Sequence, residues 1–123
     1  MQSVMTHRAP AAIGPYSQAI LMNNILFVSG QLGIDPGTSL IPESFEEQAN
    51  LVFNNIKAIL DAAGMGLSNI VKVSVFLQDL DDFTLLNEIY MRYFSAPYPA
   101  REVVQVSRLP QNGKIEISVI AMR

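Results

Sequence analysis

An α+β fold, one sheet with two helices on one face in the order β-β-α-β-α-β-β, is what the sequence predicts. Three observations carry this. Two segments, 44–64 and 83–93, repeat apolar residues at three- and four-residue steps. Two others, 71–77 and 115–121, alternate apolar and polar residues as half-buried strands do. No internal repeat or linker divides the 123 residues, so residues 1–123 form a single domain.

The first 20 residues hold Pro10, Gly14 and Pro15 and read as an irregular or edge segment. A short strand is expected over Ile20–Met22, a turn at Asn23-Asn24, and a buried strand over Ile25–Ser29 that ends at Gly30. Ser44 opens the first helix, with Glu47 three residues on in a capping box. Its stripe is Ala49, Val52, Phe53, Ile56, Ile59, Leu60 and Ala63, and Gly64 closes it. Val71–Leu77 is a strand. Asp81 or Asp82 caps the second helix, whose stripe is Phe83, Leu86, Ile89, Tyr90 and Tyr93, and Pro97 and Pro99 break it. Val103–Val106 and Ile115–Ala121 are the last two strands, joined through Gln111-Asn112-Gly113 and expected to form a hairpin or lie close together.

Composition narrows the function. Hydrophobic residues make up 50% of the chain and charged residues 15%, against about 25% charged in an ordinary soluble domain. Two helices cannot cover both faces of such a sheet, so the other face, which carries Glu116, is expected to meet further copies of the chain. There is no cysteine and one histidine, His7, which leaves no disulfide, no thiolate nucleophile and no multi-histidine metal site within one chain. A net charge of −3 with scattered Lys and Arg argues against nucleic acid as the main partner. No run approaches the ~20 apolar residues of a membrane span, and no secretory signal opens the chain, so cytoplasm is the default compartment. Neither nucleotide-binding glycine fingerprint is present. The Asp79, Asp81 and Asp82 group sits at a helix start, where capping accounts for it.

Two polar residues stand out. Arg101 lies between Pro99-Ala100 and a valine-rich strand, and Glu116 interrupts an apolar one. A guanidinium binds a carboxylate in bidentate fashion, and a glutamate in a partly dry cleft can move protons.

The segments around them are recognisable. APAAIGPYSQA (Ala9–Ala19), VSGQ (Val28–Gln31), LDAAG (Leu60–Gly64), IVKVSVFLQDLDDF with its trailing NEIY (Ile70–Tyr90), PAR (Pro99–Arg101) and VSRLP…KIEISVIA (Val106–Ala121) resemble the Rid, or YjgF, family of reactive-intermediate deaminases, and within it the RidA subgroup. The resemblance runs the length of the chain in order. It implies a chorismate-mutase-like fold and a homotrimer whose sheets pack into a central barrel with clefts between subunits. It also implies hydrolysis of 2-imino acids (2-iminobutanoate, 2-iminopropanoate) or their enamine tautomers to 2-oxo acids and ammonia, with no cofactor and no metal. Its pattern makes Arg101 the carboxylate clamp and Glu116 the group that activates water. Tyr16, Ser29, Gly30 and Asn87 would line the cleft, and the Val103 N–H would add a carboxylate contact. The alternative is a trimeric small-carboxylate-binding or regulatory protein without turnover. Glu102 stands where members often carry a small hydroxyl residue, and Val103 where many carry cysteine. Strand alternation is expected to turn Glu102 away from Arg101. The segment Ser95–Pro99 before PAR is short for the family.

Overall fold

The computed structural model describes residues 1–123. Six strands form one sheet: β1 (Gln2–Val4), β2 (Ala19–Met22), β3 (Ile25–Leu32), β4 (Ile70–Leu77), β5 (Ala100–Gln105) and β6 (Ile115–Met122). The helices are α1 (Phe45–Ala62), between β3 and β4, and α2 (Phe83–Tyr90), between β4 and β5. The spatial order of strands is β1-β2-β3-β6-β4-β5.

Helix α1 starts where the capping pattern places it. The Ser44 hydroxyl accepts the Glu47 N–H at 3.1 Å, satisfying one of the donors that every helix start leaves free. Gly64 ends it in the left-handed region, φ +71°, where a residue with a Cβ is strained. The stripe Ala49, Val52, Phe53, Ile56, Ile59 and Leu60 is buried with Leu86, Ile89 and Tyr90 of α2 in a single core. That core takes the odd-numbered face of β6, Ile115, Ile117, Val119 and Ala121, and Val73, Val75 and Leu77 of β4. Both helices therefore lie on one face of the sheet, as the sequence predicts.

Four boundaries differ from expectation. Part of the N-terminal segment is a true edge strand, β1, with Ser3 opposite Ile20. Strand β3 passes through Gly30 to Leu32 instead of ending there. The expected cap of the second helix makes no side-chain bond: the Asp79 carboxylate accepts the Asp81 N–H at 2.9 Å, and a short 3₁₀ turn, Leu80–Asp82, precedes α2. Strand β5 begins at Ala100 and ends at Gln105, not Val103–Val106, so Arg101 lies within it.

The larger correction concerns the last two strands. They form no hairpin. β5 pairs in parallel with β4 on its far side, while β6 runs between β3 and β4, antiparallel to both. The reason lies in burial. β6 alternates without a break and fills a central position, whereas β5 has only Arg101 and Val103 half-buried, the rest exposed, and sits at the edge. Helix α2 supplies the crossover that a parallel β4–β5 pair requires.

The face of the sheet away from the helices is apolar and uncovered. Phe27 and Val104 remain 47% and 42% exposed, on a face of the kind that, where its apolar area is contiguous, marks an interaction surface. Lys72, Ser74, Glu102 and Ser118 interrupt this face.

Candidate active site

The Glu116 cleft is built from three segments. Strand β3 carries a bulge: Val28 pairs with Val119 and Gln31 with Ile117, so Ser29 and Gly30 together face the single residue Ser118. Bulges redirect side chains, and this one brings Ser29 and Gly30 to the wall of a cleft of about 630 Å³. Tyr16, Ser29 and Glu116 are among its polar lining and Gly30 opens its wall, with apolar walls from Pro10, Ile13, Leu32 and Ile34.

Glycine is needed at position 30. A Cβ there would lie 2.9 Å from Cδ and 3.0 Å from Oε2 of Glu116. The missing side chain is the space in which the glutamate lies. Glu116 is half-buried, has no cation beside it, and desolvation alone raises its pKa above the ordinary carboxylate value. The Ser29 hydroxyl donates to the Ser17 carbonyl at 2.6 Å and its N–H to the Gln18 carbonyl at 2.9 Å, which ties β3 to the opposite wall. Gly30→Ala is expected to keep the fold, because only the end of a flexible side chain must move. It is expected to displace Glu116 and lower kcat/KM for the reaction proposed below by about 10- to 100-fold. A thermal melt beside steady-state kinetics checks both halves.

Gln18 is a site-building residue that sequence reasoning misses. It is buried, and its amide accepts the Thr6 N–H at 2.8 Å and donates to the carbonyls of Thr6 at 3.1 Å and Pro10 at 2.8 Å. These bonds fasten segment 6–10 against the sheet and so hold one wall of the cleft.

Arg101 belongs to a different place. With Asn87, Tyr90, Met91 and Tyr98 it lines a second, shallower pocket of about 250 Å³ at the β5 edge. Its guanidinium carbon lies 4.7 Å from the Tyr90 ring centroid and 5.7 Å from that of Phe83. The three ion pairs of the chain join Arg8 to Asp61, Lys72 to Glu102 and Arg92 to Glu46, so Arg101 has no acid of its own. Burial pushes the Tyr90 phenol up, and Arg101 partly offsets this. The Val106 N–H donates to Leu77 of β4 at 2.9 Å. Alternation along the strand then turns the N–H groups of Glu102 and Val104 toward β4 and that of Val103 to the open edge.

Arg101 and Glu116 do not meet within one chain, contrary to the proximity expected from a hairpin. Arg101 is opposite Val73 and Glu116 opposite Phe76 on β4. Val73 faces the helices, and Phe76 faces away. The two side chains therefore leave opposite faces of the sheet, displaced by three residues, about 10 Å, along β4. Each half is incomplete: an acid without a cation, and a cation without an acid. Glu102 points away from Arg101, on the outer face. The Ser74 hydroxyl donates to its carboxylate and the Lys72 ammonium lies 3.0 Å from it. Both contacts lower its pKa, the hydroxyl more.

This six-stranded α+β sheet, with an acid-bearing cleft and an unpaired arginine at its edge, is of a class that comparison with known proteins identifies. The family model described as endoribonuclease L-PSP matches residues 6–123, and the chain belongs to this family, the YjgF/Rid family. Among solved structures, RidA from an Antarctic Psychrobacter is 50% identical, with a TM-score of 0.97 and full coverage of both chains. Escherichia coli TdcF with bound serine is 44% identical, with a TM-score of 0.96 over 100% of this chain and 99% of that one. The 2-iminobutanoate/2-iminopropanoate deaminase of Bos taurus is 46% identical over 121 residues, 98% of this chain and 88% of the bovine protein. A RutC family protein of Pyrococcus abyssi is 49% identical over 98% of this chain and 95% of its own length. The family read from the sequence motifs and the α+β fold are borne out.

Proposed function

We propose that this chain hydrolyses small 2-imino acids, with their enamine tautomers, to 2-oxo acids and ammonia. The reaction takes place where the Glu116 cleft of one copy meets the Arg101 edge of the next. The observation that carries this reading is the division of the site: acid and cation on opposite faces, each without a partner. A closed ring of copies brings such complementary halves together, and a homotrimer packed through the uncovered outer face is the assembly proposed.

In the joined site the Arg101 fork and the Val103 N–H hold the substrate carboxylate, which fixes the adjoining C=N carbon. Glu116, made more basic by its dry surroundings, takes a proton from a water as its oxygen adds to that carbon. That proton then passes to nitrogen, leaving a tetrahedral carbon that bears OH and NH2. Glu116 takes the hydroxyl proton and delivers it to the same nitrogen as the C–N bond breaks with its electron pair on nitrogen, so ammonia leaves as the C=O forms. The sum is imino acid plus water to oxo acid plus ammonia, with no net oxidation. Tyr16, Ser29 and Asn87 position water and substrate. The relatives named deaminases support the reaction class, and bound serine in TdcF supports a small amino or imino carboxylate as the ligand class. Cytoplasmic disposal of reactive imines released by enzymes acting on serine and threonine is the role proposed.

The test couples a threonine dehydratase to this protein and follows decay of the imine against its free half-life. Wild type is expected to shorten that half-life. Arg101→Ala and Glu116→Ala are each expected to be inactive. Refolded together from an equimolar mixture, they are expected to regain activity in about a quarter of sites, the product of one half for each intact contribution. Binding of 2-oxobutanoate without faster imine decay would favour a carboxylate-binding protein. Turnover that the mixture fails to restore would place both residues in one chain's site.

A further inference from the structure

We infer that Phe83 and Tyr90 are positioning residues that hold the Arg101 guanidinium by its π faces, and so keep all of its N–H donors free for a ligand carboxylate. This rests on the reading of Arg101 as the carboxylate clamp.

An arginine fork that is held in place by protein is commonly held by an acid. An acid beside Arg101 would occupy the fork and cancel the charge the ligand needs. The chain spends its acids elsewhere: Glu102, next in sequence, is held on the other face by Ser74 and Lys72. Arg101 instead lies over two rings, at 4.7 Å from Tyr90 and 5.7 Å from Phe83, within the range in which an aromatic quadrupole attracts a cation. A guanidinium held by its face still presents its N–H groups in plane, toward the pocket edge.

The two rings are anchored differently. Tyr90 is 5% exposed and is set against Phe94 at 4.5 Å and Phe53 at 6.0 Å between centroids. Its orientation belongs to the core. Phe83 is 39% exposed at the first position of α2. Core packing gives little reason for a large ring there, but contact with Arg101 gives one. Because α2 also carries Asn87, one helix sets the fork and a second polar group of the same pocket.

The experiment measures 2-oxobutanoate binding by calorimetry and imine hydrolysis by steady-state kinetics for wild type, Phe83→Leu and Phe83→Tyr. Leucine keeps the apolar volume at an exposed position and removes the π face. Phe83→Leu is expected to raise Kd and KM by about three- to tenfold with much less effect on kcat. Phe83→Tyr is expected to recover most of the loss. In an Arg101→Ala background the Phe83→Leu change is expected to cost no further binding. Unchanged Kd in Phe83→Leu, a tyrosine variant as weak as the leucine one, or lower kcat at constant KM would overturn the inference. A wild-type chain that neither binds 2-oxobutanoate nor hydrolyses imines would overturn the proposed function itself, and this inference with it.

Discussion

Glu116→Gln is expected to slow imine hydrolysis by roughly 10² to 10⁴ while leaving binding of 2-oxobutanoate nearly intact. Glutamine keeps the shape that fits across Gly30 and can still hold a water, but it cannot accept a proton. Stability is expected to move the other way. Burial raises the pKa of Glu116 above its ordinary value, so between those two values the folded state binds the proton more tightly than the unfolded chain does. Stability from this group is therefore present at low pH and lost as pH rises through the folded pKa. In the single chain at neutral pH the ionised glutamate is a cost that the amide removes. Chemical denaturation at pH 7, at protein concentrations low enough to separate the copies and so remove the neighbouring Arg101, is expected to give Glu116→Gln a midpoint at or above that of the parent, and the gap is expected to narrow toward pH 4. A rate equal to that of the parent would put the base elsewhere. Loss of fold and assembly together would make Glu116 an interface residue.

Arg101→Lys is expected to lower kcat/KM by about 10- to 100-fold, mostly through KM. Lysine keeps the charge but replaces a planar fork by a single ammonium, so one charge-assisted hydrogen bond to the carboxylate is lost. The ammonium also sits less well between two rings than a flat guanidinium does. The contrast between salt and geometry makes the result diagnostic: if charge alone mattered, lysine would bind 2-oxobutanoate as arginine does. Calorimetry on the Arg101→Lys variant decides this directly, and parental affinity would remove Arg101 from the carboxylate contact.

Local features of the fold were legible because their signals are local. The Ser44 cap, the apolar stripe of α1 and the strict alternation of Ile115–Ala121 are each properties of a single element, and each appears where expected, although Glu47 makes no return bond to complete the capping box. Pairing was not legible in the same way. Nothing within Val103–Val106 indicates whether that strand lies beside its successor or across β4, since a crossover is a property of α2 and the sheet together. From that one error followed the misplaced expectation that Arg101 and Glu116 are close. The bulge at Ser29 and Gly30 was hidden for a related reason. An apolar run reads the same with or without a two-for-one mismatch, and only the register with β6 reveals it. The residue types were readable, Arg101 as a carboxylate ligand and Glu116 as a proton carrier, because their chemistry is unusual on apolar strands. Gln18 lies in one of the segments that carry the family resemblance, but nothing there told its role. A buried glutamine that bonds backbone carbonyls has the same letter as a solvated one, and its neighbours Ser17 and Ala19 are unremarkable.

That glutamine has a kinetic corollary. The segment it fastens, 6–10, forms a rim of the Glu116 cleft, and four hydrogen bonds tie that rim to a buried residue just before β2. Moving the rim aside means breaking those bonds in a buried place, a cost close to that of local unfolding. This rim is therefore not a door, and no closing step at this wall tests a ligand before chemistry begins. At this rim, discrimination falls to the bond being cleaved rather than to closure. A catalyst of this kind suits substrates that are short-lived, scarce and varied, for which prompt access matters more than selective capture.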